Sequence, residues 1–368
     1  MTGKHLFPIG SFRTLAVMGM SKNTGKTVTL NHLLAQAAAD GIKVGVTSIG
    51  RDGEGRDQVF FIPKPPIRVW PGTLVATARA TLARAKVRCQ LIDNTGIASA
   101  MGEIVIVKTL DQGEMEIAGA SRGQDQRQVI KRLRQCGATQ VLLDGALGRS
   151  QHASPAIADC VMLATGAALG GGIADVIRKT RERLAVLGIA ALDEDTQARV
   201  APLFAQGGVA IWDRSGHPVF QARIATLNAG AVLLRHSNVE LGTIALSGAV
   251  GRSVWQALTA LATRHPGLTV VVADGTRLFV EHSDLVAFEQ IGARLLAWQA
   301  IQVAGITLNP YSPMGRSFAA DEFLAAARDA FAGYLVSDVM LATASRSIDS
   351  SLRTNRDGPA PNSSLRGA

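Results

Sequence analysis

The sequence predicts an α/β fold: a doubly wound, mostly parallel sheet, followed by a second α/β unit and a disordered C-terminal tail. Three observations predict it. An apolar run, residues 15–18, passes through a short polar loop into Gly25-Lys26-Thr27 and a helical pattern. Apolar runs then alternate with helical patterns up to about residue 187. The composition, 47% hydrophobic with few aromatics and abundant Gly, suits layered α/β structure with many strand-to-helix turns. The expected organisation is a nucleotide-binding domain over 1–196, a second α/β unit over 197–341, and a tail over 342–368. The second unit is either its own domain or a set of further strands on the same sheet.

The stretch from Gly19 to Thr27 carries the chemistry. In a strand–loop–helix turn of this kind successive backbone N–H groups point at one anion, and the helix N-terminus adds its partial positive charge. Ser21, Lys22, Asn23, Thr24, Gly25, Lys26 and Thr27 are the expected phosphate-binding residues. Lys26 would reach the terminal phosphates and the Thr27 hydroxyl would ligate Mg²⁺. The usual spacing, G-x-x-x-x-G-K-[ST], asks for Gly at position 20; this chain has Met20, with Gly19 one place early. The alternative is a strand-to-helix turn that merely contains Gly-Lys-Thr. With an apolar strand before the loop and a helix after it, phosphate binding is favoured, and the fold expected is P-loop NTPase-like.

After the loop, Leu30, Leu33, Leu34, Ala37 and Ala38 fall at helical spacing, and Gly41 stands where a helix would end. Residues 43–49 form the second strand. They lead into a polar Gly-rich turn whose acids, Asp52, Glu54 and Asp57, would hold Mg²⁺, hold a water or sense the terminal phosphate. A solvated turn with capping acids is the equal alternative. Pro63-Lys64-Pro65-Pro66 is a stiff connector. Residues 88–93 and 103–107 are strands, and 114–118 a third that pairs back as a hairpin. A helix over 124–136 turns Val129, Ile130 and Leu133 inward, and the strand 140–144 ends in Asp144-Gly145-Ala146. An acid at this strand end, downstream of a phosphate loop, suits Mg²⁺ held directly or through water, so Asp144 joins Thr27 as the metal pair. Arg149 would neutralise phosphate charge or pair with an acid. The strand 159–166 precedes Gly170-Gly171-Gly172 and a helix.

From about residue 197 the pattern shifts. Short paired strands are expected at 209–212 and 222–225, then a strand at 241–246, a helix at 254–262, a strand at 268–272 ending near Asp274, and a helix at 285–296. The strand 305–308 ends in Asn309-Pro310, which suits a base-edge or partner contact, or equally a plain Asn-Pro turn. Beyond Ala342 the chain is rich in Ser, Arg, Asn and Pro with little to bury.

Several classes are disfavoured. Cys89, Cys136 and Cys160 are odd in number and widely spaced, which predicts reduced packing cysteines rather than zinc ligands. The net charge of +9 raises nucleic acid as a partner, but Lys and Arg are scattered with no aromatic interleaving, which argues against it. No signal-peptide pattern or membrane-length apolar run is present, so a cytoplasmic protein without a membrane segment is expected.

With these residues laid out, the chain resembles the P-loop subunit of the lysine 5,6-aminomutase reactivase family. The resemblance rests on Ser21-Lys22-Asn23-Thr24-Gly25-Lys26-Thr27, on Thr47-Ser48-Ile49-Gly50-Arg51-Asp52-Gly53-Glu54, on Asp144-Gly145-Ala146, on Ala164-Thr165-Gly166-Ala167 and on Thr307-Leu308-Asn309-Pro310. It implies a nucleotide-driven chaperone that frees an adenosylcobalamin-dependent aminomutase of inactivated cobalamin, acting with a second reactivase subunit. Lys26, Thr27 and Asp144 are the residues whose roles carry over. No Asp-x-His-x-x-Gly segment is present, so the cobalamin would sit on the partner enzyme. The basic tail matches nothing in that family. A looser similarity to dethiobiotin-synthetase-type P-loop enzymes implies instead an ATP-dependent ligase or kinase of a small acid. A nucleotide-dependent switch or scaffold with little turnover is the third reading. ATP is favoured over GTP because no guanine-reading Asn/Thr-Lys-x-Asp segment is found. In the expected site Lys26 is catalytic, Asp52 or Asp57 positions water or couples a loop, and Asn309 touches the nucleotide.

Overall fold

The computed structural model describes residues 10–49, 66–145, 154–313 and 315–341. Asp52, Glu54, Asp57, most of the Pro63–66 connector, Ala146, Arg149 and the tail from 342 lie outside them.

The chain opens with β1 (Thr14–Gly19), α1 (Lys26–Ala39), β2 (Val44–Ser48), β3 (Ile67–Val69), β4 (Leu74–Ala78) and the single turn α2 (Arg79–Leu82). The hairpin β5 (Cys89–Ser99) and β6 (Gly102–Thr109) follows, then β7 (Gly113–Met115), α3 (Gly123–Gln135), β8 (Gln140–Asp144), β9 (Cys160–Gly166) and α4 (Ile173–Leu187). Next come α5 (Glu194–Gln206), β10 (Val209–Asp213), β11 (Pro218–Ala222), α6 (Gly230–Leu234), β12 (Leu241–Leu246), α7 (Arg252–Arg264) and β13 (Thr269–Val272). The chain continues through α8 (His282–Gln290), β14 (Arg294–Ala297), β15 (Val303–Asn309), α9 (Ala320–Ala330) and β16 (Val336–Ser337).

The larger sheet has nine strands in the order β16-β15-β9-β1-β8-β2-β4-β6-β5. Every pair from β16 to β4 is parallel, while β4–β6 and β6–β5 are antiparallel. Strands such as β1, β2, β8 and β9 are buried along their whole length, as expected where both faces are covered. Leu30, Leu33, Leu34 and Ala37 of α1 pack on one face with Leu15, Val17, Val44, Val46 and Leu142. Val129, Ile130 and Leu133 of α3, Val176, Leu184 and Leu187 of α4, and Phe323 of α9 pack on the other. The sheet is therefore wound on both sides, with β1 near its centre.

A second sheet, order β11-β10-β12-β13-β14, has its own core of Ile244, Leu246, Leu258, Leu261, Val270 and Phe288. On its other face Phe204 stacks on Trp298, ring centroids 4.9 Å apart.

The structure departs from the sequence-based expectations at identifiable points. Of the two alternatives for residues 197–341 each holds for a part: β10 to β14 form a sheet of their own, while β15 and β16 are further strands of the first sheet, where β15 pairs with β9. The residues 114–118 do not fold back on the preceding strand; β7 pairs with β3 in a separate two-stranded ribbon. The helix expected over 285–296 ends at Gln290, because Gly292 takes φ +82° and Arg294–Ala297 then pair in parallel with β13. The return strand of the short pair is Pro218–Ala222, reaching back into the expected turn. Neither β3 nor β4 was expected.

The three cysteines are unpaired. Burial pushes the Cys160 thiol up to about 12, which leaves it protonated and inert as a packing group. No helix among the described residues is long and apolar enough to cross a membrane.

Candidate functional site

Because β1, β8, β2, β9 and β15 run parallel, their C-terminal ends open on one edge of the sheet. Four sequence-predicted groups lie along that edge: the loop 20–25 after β1, the first turn of α1, Asp144 at the end of β8, and Asn309 at the end of β15. Asp52 and Asp57 lie outside the described residues.

The loop is tied tightly to itself. The Ser21 carbonyl accepts from Thr24 Oγ1 at 2.9 Å and from Lys26 Nζ at 3.0 Å, and Ser21 Oγ donates to the Lys22 carbonyl at 2.9 Å. Asn23 takes φ +60° and Gly25 φ +89°; among the described residues Asn23 is the one non-glycine with positive φ. Left-handed residues on either side of Thr24 are backbone conformations of the kind from which anion nests are built. Helix α1 starts at once: Gly25 is its N-cap, and its carbonyl accepts from the Thr29 N–H at 2.9 Å. A non-glycine held left-handed costs on the order of 1 kcal/mol, and such strain clusters at ligand-binding turns.

The shifted glycine has a steric reason. A Cβ on Gly19 would lie 2.7 Å from Lys26 Cδ and 2.8 Å from both Lys26 Nζ and Thr24 Oγ1. Gly19 is thus the position over which Lys26 folds. Met20 needs no such freedom: its amide donates to the Ala164 carbonyl at 2.9 Å and its side chain packs into the core.

Asp144 is 2% exposed and pairs in register with Ser48, and its carbonyl accepts from the Ile49 N–H at 2.9 Å. Side chains alternate along a strand, so Asp144 shares the face of Leu142, the face covered by α1. Thr27, 7% exposed, stands in the first turn of that helix. Among the described residues no cluster of three or more His, Cys, Asp and Glu could hold a metal. The hydroxyl of Thr27 and the carboxylate of Asp144 instead suit a hard cation that keeps several waters and takes its other oxygens from a phosphate ligand. The donor set and the glycine-walled cradle fit a magnesium-bound nucleotide.

Asn309 reaches the loop. Its Nδ2 donates to the Asn23 carbonyl at 2.7 Å, and its Oδ1 accepts from the Tyr311 N–H at 3.2 Å. The opposite amide orientation would set Oδ1 against a carbonyl, so the network fixes it. A Cβ on Gly25 would come 3.2 Å from Asn309 Cβ, so the two residues are in close contact. Both polar ends of the amide are engaged within the chain, which makes Asn309 a strut that holds the left-handed Asn23. Below it, Thr29 and Thr307 share a buried hydroxyl–hydroxyl hydrogen bond of 2.8 Å, which fixes α1 to β15. Replacing Asn309 with alanine is expected to speed amide exchange at residues 24–27 about tenfold, the worth of one hydrogen bond whose acceptor is left unpaired. Hydrogen–deuterium exchange checks it, with β13 as the unchanged internal reference.

Two further contributors stand in the segments that carry the resemblance but have no site role assigned from the sequence. Ser48 is buried beside Asp144, a placement visible only once the β2–β8 register is known. Gly166 is the second: a Cβ there would lie 2.1 Å from the Asn309 carbonyl oxygen. Comparison with known proteins found no matching family model, no matching curated protein and no matching solved structure.

Proposed function

We propose that this chain is a P-loop, Mg²⁺-dependent nucleoside triphosphatase, ATP favoured over GTP, that serves as a reactivating chaperone for an adenosylcobalamin-dependent aminomutase. One observation carries the nucleotide reading: a self-tied loop with left-handed residues at 23 and 25 runs from a buried central strand straight into α1, with Lys26 folded over it. The reactivase role is supported by the resemblance of five segments, from the loop to Asn309-Pro310.

The backbone amides of residues 23–27 would cradle the phosphates. Lys26 would stabilise charge on the transferring group, and Thr27 with Asp144 would hold the metal. Bound Mg²⁺ supplies neutralisation of the phosphate oxygens. The protein's own contribution is position: β9 and β15 brace the loop through Gly166 and Asn309, so the cradle is formed before a ligand arrives.

The test is hydrolysis of Mg-ATP and Mg-GTP by the full chain, alone and with a candidate aminomutase and its second reactivase subunit. The expected result is slow turnover alone and faster turnover with the aminomutase. Turnover that needs a small acid and ignores the aminomutase would replace the chaperone with a ligase or kinase. Absence of both nucleotide binding and hydrolysis would overturn the nucleotide reading itself.

A further inference from the structure

Ser48, the last residue of β2, has no exposed surface, and its Oγ makes no hydrogen bond. Buried hydroxyls elsewhere in the first unit are paired, Thr29 with Thr307 at 2.8 Å and Thr165 with Thr180 at 2.7 Å, whereas the two of β2, Thr47 and Ser48, are not. A buried hydroxyl without a partner is costly, and its persistence in a well-packed strand asks for a reason.

Its position supplies one. Val44 and Val46 pack with Leu30, Leu33 and Leu34 of α1, so strand alternation turns Ser48 to the same face. Ser48 pairs with Asp144 in a parallel register, which puts the hydroxyl and the carboxylate side by side beneath the helix whose first turn holds Thr27. Thr47 Oγ1, the other buried hydroxyl of β2 without a hydrogen bond, faces the opposite side, where Gly119 lies.

We propose that Ser48 Oγ hydrogen-bonds a water in the hydration shell of the Mg²⁺ held by Thr27 and Asp144. This rests on the nucleotide reading above. Mg²⁺ gives up its waters reluctantly and usually keeps several, each of which needs partners within the protein. A serine hydroxyl both donates and accepts, so it serves such a water in either orientation. Ser48 is then a positioning residue that acts on the metal through water.

The experiment titrates Mg²⁺ into the full chain with a fluorescent ATP analogue, for wild type and Ser48→Ala, with matched titrations of the analogue in EDTA. Thermal melting without ligand accompanies them. Ser48→Ala is expected to raise the Mg²⁺ midpoint roughly tenfold, the usual cost of losing a group that orients a metal's own ligands. Analogue affinity in EDTA should not change. The ligand-free melting temperature should stay level or rise, since the substitution removes an unpaired buried hydroxyl. An unchanged Mg²⁺ midpoint, in a wild type that does bind Mg-nucleotide, overturns the role of Ser48 and leaves the nucleotide site standing. A lower ligand-free melting temperature with equal loss of affinity in Mg²⁺ and EDTA assigns Ser48 to structure and also overturns it. A wild type that binds no analogue in either condition brings down both readings.

Discussion

Lys26→Ala is expected to lower nucleotide turnover a hundredfold or more while leaving the fold intact. Lys26 is the first residue of α1, where alanine is at least as good a helix former, and its Nζ bonds the Ser21 carbonyl 3.0 Å away within the loop. Little stability is therefore at stake. On the proposed function the loss falls on the transition state, where removing one preorganised donor from a developing oxyanion costs about 3–4 kcal/mol. The measurement is kcat and KM for Mg-ATP together with thermal melting. A fall in kcat with an unchanged melting temperature supports the assigned role, whereas unaltered turnover removes Lys26 from the chemistry. Lys26→Arg is not expected to rescue, because the planar guanidinium is bulkier and Gly19 leaves little room beneath the existing side chain. Gly19→Ala should reproduce part of the defect from the other side, since its Cβ would displace Lys26 without touching its charge.

The parts of the fold legible in the sequence are those written in local pattern. The entry into the loop, α1 and the strand ending in Asp144 each announce themselves within a few residues, because an apolar run, a glycine and a helical spacing are all short-range signals. Where two elements share one apolar rhythm, pattern fails. Leu285, Phe288, Leu295 and Leu296 fit one helix by spacing, and the left-handed Gly292 that divides them into α8 and β14 is an ordinary residue on paper. The five residues of β4 are buried with no polar alternation, and although Pro71-Gly72 marks a turn before them, nothing local tells a buried strand from a buried helical segment. They pair with β2 on one side and β6 on the other, contacts that only the assembled sheet supplies. The return of β15 to the first sheet is likewise a matter of pairing, not of composition. The site divides in the same way. The loop residues, Thr27 and Asp144, the residues proposed for the site, are each found from local pattern. The Asn309 bond to Asn23 joins residues 286 apart, and the burial of Ser48 depends on register, so neither leaves a trace in the local sequence.

Gly166→Ala is expected to be among the most destabilising single-methyl additions in the larger sheet. The residue is not needed for its backbone conformation, since φ 169° and ψ −175° are extended values that any amino acid adopts. The constraint is steric. In register with Asn309, Gly166 lies so close that an added Cβ would sit 2.1 Å from the Asn309 carbonyl oxygen and 2.9 Å from its Cβ. No rotamer relieves such a contact, because the opposing atoms include backbone. β9 and β15 must separate at their C-terminal ends, giving up ladder hydrogen bonds and core packing around Leu163 and Leu308. Overpacking of this kind costs about 3 kcal/mol. Chemical denaturation monitored by circular dichroism should show the loss as a lower midpoint. The displacement would also carry Asn309 away from Asn23, so the loop should loosen along with the strand pair. Amide exchange at residues 24–27 in Gly166→Ala is then expected to rise at least as far as in Asn309→Ala. Fast exchange in Asn309→Ala with slow exchange in Gly166→Ala would mean that β9 does not brace the loop through Asn309.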